Sequence, residues 1–130
     1  MPHLTLEYSS NLDGQTDIQG LCDVALAAMV RSGLFELGAI RVRAIRCEAY
    51  AIADRLPENA FLDMSLRIGT GRSPEERQAA GSLIFAAVSE YLSPLLAEPH
   101  FALSFEIREI DPVSSWKQNA MHARLRATTR

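Results

Sequence analysis

The apolar pattern of this chain runs through the same order twice, and that repetition limits the folds open to it more than any other feature. Leu4, Leu6 and Tyr8 alternate with polar neighbours, as in a half-buried strand. Ile18, Leu21, Cys22, Ala25, Leu26, Met29 and Val30 then recur at helical spacing. Ile40, Val42 and Ala44 alternate again, before a change of phase at Ile45-Arg46-Cys47 that suggests a bulge or bend. The series restarts with Leu62, Met64, Leu66 and Ile68. A second helical stripe follows through Ala80, Leu83, Ile84, Ala87, Val88, Tyr91, Leu92 and Leu95, and a last strand carries Phe101, Leu103, Phe105 and Ile107. Corresponding features lie about 57 to 61 positions apart.

The chain is therefore expected to be a single α+β domain over residues 1–130, built from tandem βαβ units (β-α-β-β-α-β) at about 2–57 and 58–112, with a C-terminal extension at 113–130. Parallel strands joined through a helix take a right-handed crossover, which puts both helices on one face of a four-stranded sheet. A unit of roughly 60 residues is marginal alone. The sheet face turned away from the helices is thus expected to meet another copy of the chain.

Local signals agree with this division. Ser9 to Gly14 is turn-rich, Thr16 with Gln19 makes a capping box, and Gly33 supplies a helix stop. Asp54 to Asn59 is a loop, and Gly69-Thr70-Gly71-Arg72 turns the third strand. Ser73, Pro74 and Glu76 form the strongest helix start in the chain, and Glu98-Pro99 bounds that helix. Beyond Asp111-Pro112 the pattern is weak, with Trp116 as the only large anchor.

Thirteen basic against sixteen acidic residues give a formal net charge of −3, without the positive field that holds a phosphate backbone, so no nucleic-acid partner is expected. No apolar run approaches the roughly 20 residues that cross a bilayer, and Met1-Pro2-His3 opens without a basic or apolar leader pattern. A chain that starts where the mature protein starts is expected, with no membrane partner and a cytoplasmic location. Cys22 and Cys47 have no second cysteine or histidine at ligand spacing and suit free thiols. His3, His100 and His122 stand apart, so no metal site is expected. The Gly69–Pro74 run lacks the lysine and the third glycine of the nucleotide-binding loops.

Two features carry chemistry. Pro at the second position favours removal of the initiator Met, which would leave a secondary amine on a rigid ring at the head of a strand. Burial and nearby cations would push such an amine toward neutrality and make it a proton acceptor. The second feature is the arginines. Arg41 projects from the face opposite Ile40 and Val42, and Arg72 stands in a turn at the amino end of a helix, where anions are favoured. An arginine fork engages a carboxylate through two parallel hydrogen bonds and stays charged.

Met1-Pro2-His3, Gly38-Ala39-Ile40-Arg41-Val42-Arg43, Ile68-Gly69-Thr70-Gly71-Arg72-Ser73, Ala102-Leu103-Ser104-Phe105-Glu106-Ile107 and Lys117-Gln118-Asn119, in this order, resemble the tautomerase superfamily. Among its two-unit members they are most similar to the 5-carboxymethyl-2-hydroxymuconate isomerases. The resemblance runs almost end to end. It implies the tautomerase fold, a homotrimer, Pro2 as the catalytic proton carrier, and Arg41 and Arg72 as substrate-binding arginines. Trp116 is carried over as part of the pocket wall, where short tautomerases have a Phe. The implied activity is a cofactor-free enol-to-ketone isomerisation of a small unsaturated di- or tricarboxylate in homoprotocatechuate and 4-hydroxyphenylacetate catabolism. A related tautomerase, hydratase or dehalogenase acting on another unsaturated carboxylate, or a non-catalytic trimeric binding module, are the alternatives.

The duplication gives an independent expectation. The first unit offers Pro2 and Arg41 but no counterpart of Arg72 between Ser9 and Gly14. The second offers Arg72 but has Ser104 near the position of Arg41. A complete site must draw on both units, so one site per chain is expected.

Overall fold

A computed structural model describes residues 1–128; Thr129 and Arg130, the end of the expected extension, lie outside the described residues. The elements in chain order are β1 (His3–Ser9), α1 (Ile18–Arg31), β2 (Arg41–Cys47), β3 (Ala60–Gly69), α2 (Pro74–Tyr91), α3 (Ser93–Leu96), β4 (Phe101–Ile110) and α4 (Met121–Thr128), with short 3-10 turns at Ser10–Leu12, Leu37–Ala39 and Pro112–Ser114. The four strands form one mixed sheet in the order β2-β1-β3-β4. Each βαβ unit contributes a parallel pair, and the two units meet through the antiparallel pair β1–β3.

The period-2 pattern sets which side of the sheet is covered. Leu4, Leu6 and Tyr8 of β1 oppose Leu66, Met64 and Leu62 of β3, and all six are buried. They share one core with Leu21, Ala25 and Met29 of α1 and Ile84 and Val88 of α2, so both long helices lie on that face and touch each other. Truncating one of these buried leucines to alanine costs about 2–5 kcal/mol. The alternate positions His3, Thr5, Glu7, Asp63, Ser65 and Arg67 form the other face, polar and partly or fully exposed. No helix among the described residues is long and apolar enough to cross a membrane.

Three local expectations are corrected. β2 keeps an unbroken register with β1 from His3↔Arg41 to Ser9↔Cys47, so there is no bulge. The change of phase arises because Ile45 faces the open side beside Glu7 and is 45% exposed. Thr16 does not cap α1: its amide donates to the Leu12 carbonyl at 3.1 Å, the N-cap is Asp17, and Gln19 donates instead to Asp23 at 3.0 Å. The second long helix does not run through to Leu95. It ends at Tyr91, because Pro94 has no amide with which to continue the ladder, and the separate turn α3 follows. The capping box at Ser73 is present as expected: the Ser73 hydroxyl accepts from the Glu76 amide at 3.1 Å, and the Glu76 carboxylate from the Ser73 amide at 2.9 Å. Gly33 follows the end of α1 with φ +70°, a backbone state that glycine adopts without strain.

Candidate active site

The antiparallel joint between the units brings the amino end of one to the strand exit of the other. Pro2 heads β1 and is buried, and its carbonyl accepts from the Arg41 amide at 3.1 Å, the first rung between β1 and β2. Because His3 opposes Arg67 across the β1–β3 pair, Gly69 and the turn after it arrive beside Pro2. Arg72 ends that turn, immediately before α2. The segment beyond β4 then crosses the same end of the sheet. Asn119 donates from Nδ2 to the Gly38 carbonyl at 2.7 Å, and α4 packs on the Leu37–Ala39 turn. These pieces enclose a pocket of about 520 Å³. Its walls are Met1 and Pro2, Gly69, Thr70 and Arg72, the Glu36–Ala39 approach to β2, and Lys117, Asn119, His122 and Arg126 from the C-terminal segment.

The charges around this pocket are unevenly paired. Arg126 forms a two-point ion pair with Glu36, its Nη2 at 2.6 Å and its Nε also in contact, and Nδ1 of His122 lies 3.1 Å from the same carboxylate. The Arg126 hydrogen bonds hold the Glu36 carboxyl below the usual carboxylate range. Arg72, Arg41 and Lys117 have no carboxylate within ion-pair distance among the described residues. Arg72 donates to the Gly69 and Leu34 carbonyls at 3.3 and 3.4 Å, and its guanidinium carbon sits 5.2 Å from the centroid of the Phe35 ring. Long hydrogen bonds and an aromatic face orient the fork without neutralising it. Arg77 in turn donates to the Arg72 carbonyl at 2.9 Å and fixes the turn. Burial holds the Met1 amine below its ordinary pKa, and the charges of Lys117, Arg72, Arg41 and Arg67, in that order, push it further down.

Pro2 and Arg72 thus line one pocket. Arg41 does not line it. Its guanidinium turns back to the carbonyls of Gly38 and Ile40, at 2.9 and 3.2 Å, although its charge acts on the amine at the pocket mouth. Trp116 does not line it either. The indole is 87% exposed and borders an adjoining concavity with Met1, His3, Arg67 and Lys117. The lining residues to which the sequence assigned no role are Glu36 and Arg126, together with His122, which was expected only to stand apart, and Lys117 and Asn119, which carried part of the resemblance. The available signal was compositional: Lys117, Arg124, Arg126 and Arg130 all follow the last acid, Asp111.

Two βαβ units in one chain, with a buried amino-terminal strand end among unpaired cations, define a protein of the tautomerase class. Its fold is shared by the native fused 4-OT structure, with a TM-score of 0.62 at 17% identity over 98% of this chain and 99% of that one. The chain belongs to the 5-carboxymethyl-2-hydroxymuconate isomerase family, whose model matches residues 2–125, and it is accordingly an isomerase. It is 37% identical to the 5-carboxymethyl-2-hydroxymuconate Delta-isomerase of Escherichia coli, over 95% of this chain and 98% of that protein. The crystal structure of a 5-carboxymethyl-2-hydroxymuconate isomerase from Deinococcus radiodurans R1 superposes with a TM-score of 0.89 at 38% identity, covering 95% of this chain and 93% of that one.

Proposed function

We propose that this isomerase acts on 5-carboxymethyl-2-hydroxymuconate, with the nitrogen of Pro2 as proton carrier once Met1 has been removed. While Met1 is attached, that nitrogen is a tertiary amide and has no basic lone pair; as a free chain end it becomes a secondary amine. The Met1 amine stands in for it as a report on the local field: burial and four cations all favour the uncharged form. The neutral amine takes the proton from the 2-hydroxyl of the conjugated enol, and the resulting prolinium returns it to carbon 5. One O–H bond breaks, one C–H bond forms, the double bonds shift, and the product is the 2-oxo-3-ene isomer. The step moves a proton and conserves electrons, so it calls for no redox partner.

Negative charge grows on the 2-oxygen and its neighbouring carboxylate as the proton leaves. Arg72 faces the pocket with its fork oriented and its charge unopposed, and donors prepared in this way stabilise developing charge without having to reorganise. Arg41 adds a second unopposed positive charge behind the first rung of the sheet. In the homotrimer that the family resemblance implies, Trp116 stands in a wall that a neighbouring subunit completes. Such an enzyme belongs in the catabolism of homoprotocatechuate and 4-hydroxyphenylacetate.

The observation that carries this reading is a buried amino-terminal end surrounded by cations without counter-ions, in a protein whose net charge is −3. The test is to follow the ultraviolet absorbance of the conjugated enol on adding purified protein whose intact mass establishes that Met1 is gone. Loss of the enol band at a rate proportional to enzyme is expected. An unchanged rate with Met1-free protein would remove this substrate.

A further inference from the structure

The C-terminal segment brings to the pocket a cation that the two βαβ units lack. Lys117 is the only lysine in the chain. It lines the pocket of Pro2 and Arg72 and, like Met1, also the adjoining concavity of about 350 Å³. Of the charges acting on the amine at the pocket mouth, its own is the strongest. Its position is fixed from the downstream side. Asn119 is tied to the Gly38 carbonyl at 2.7 Å and accepts from the Met121 amide at 2.9 Å, and Arg126 and His122 clasp Glu36. The seat is close: a Cβ on Gly38 would lie 2.9 Å from Nδ1 of His122.

The substrate named above carries three carboxylates, and among the arginines and the lysine that line the pocket only Arg72 and Lys117 have no carboxylate within ion-pair distance among the described residues. We propose that Lys117 is a specificity-determining residue that binds the third carboxylate, on the carboxymethyl arm, and so makes the site prefer tricarboxylates to dicarboxylates. This rests on the substrate reading above and deepens it. The residue type suits the task. An arginine fork matches a planar carboxylate conjugated with the enol, whereas an ammonium on a four-carbon stem can follow a flexible arm. Met1 lines both cavities as well, so its removal leaves room beside Lys117 for that arm.

The experiment compares wild type, Lys117→Met and Lys117→Arg on 5-carboxymethyl-2-hydroxymuconate and on 2-hydroxymuconate, which lacks the arm. In Lys117→Met the ratio of the two kcat/KM values is expected to fall about 10- to 100-fold, the range for a lost hydrogen bond between charged groups, with Lys117→Arg retaining most of it. An unchanged ratio overturns the proposal, because a lysine that only tuned the base would slow both substrates alike. A second arm needs no turnover: being the sole lysine, Lys117 can be followed by peptide mass spectrometry as it reacts with an acylating reagent. Propane-1,2,3-tricarboxylate is expected to protect it and glutarate to protect it far less; equal protection overturns the proposal. If wild type turned over neither enol, the substrate reading would fall, while the protection arm would still decide the role of Lys117.

Discussion

Arg72 is held in place by groups that leave its charge available. The Gly69 and Leu34 carbonyls and the Phe35 ring direct the guanidinium, and no described carboxylate competes for it. Removing one donor aimed at developing charge costs about 2–4 kcal/mol of transition-state stabilisation. Arg72→Ala should therefore lower kcat/KM by that amount in steady-state assays, and Arg72→Lys should not restore it, since an ammonium cannot span both carbonyls and stack on the ring. A lower melting temperature with unchanged kcat/KM would make the residue structural instead. The same substitution has a signature in pH. Burial and positive neighbours hold the Met1 amine below its ordinary pKa, and the same field should make the Pro2 nitrogen, once freed, lose its proton below the range of an exposed amino-terminal proline. The rate should rise with pH along a limb centred below that range. Taking away the Arg72 charge should move the limb upward, and a pH profile that does not move would separate this arginine from the base.

At the scale of elements, legibility followed the range of the interactions involved. The capping box at Ser73 was readable because donor and acceptor lie three residues apart and nothing else claims them. Thr16 and Gln19 have the same spacing and fail, because the preceding turn takes the Thr16 amide. α4 could not be read from periodicity: none of its residues is buried, and it is held by polar contacts some eighty to ninety positions apart, Arg126 to Glu36 and, just before the helix, Asn119 to the Gly38 carbonyl. That mode of attachment makes a prediction. Arg126 keeps the Glu36 carboxyl below the usual carboxylate range, so its contribution is present above the unfolded-state value and is lost as the pH falls through the lowered one. Glu36→Gln at neutral pH should imitate that loss. Amide hydrogen exchange of residues 121–128 should quicken while β3 keeps the protection of the core. Slowing or no change across α4 would mean that its packing, and not the ion pairs, holds it.

At the scale of the whole molecule, alternation identified the faces of the strands but not which ends would meet. Pro2 and Arg72 come together only through the antiparallel β1–β3 pair, a contact between units that a within-unit pattern does not encode. The same pairing leaves an uncovered face with a charge gradient. One row reads Arg41, His3, Arg67 and Arg108, and a row farther along reads Ile45, Glu7, Asp63 and Ser104. Burial first, and then Arg67 and Arg43, hold the His3 ring below its ordinary pKa, as expected where cations crowd one end of the sheet. No described helix covers this face, and the trimer proposed above would cover it. Trp116, the only tryptophan, offers a direct readout, because it borders a concavity with His3 and Arg67 at the edge of that face and is 87% exposed in the single chain. Light scattering should give three times the chain mass of 14.3 kDa. Indole emission in the assembly should be blue-shifted and resistant to a soluble quencher. Dilution should lower mass, shift emission to the red and reduce turnover over one concentration range, because the wall of the site leaves with the neighbour. A fully active particle of 14.3 kDa with a freely quenched indole would show that one chain suffices.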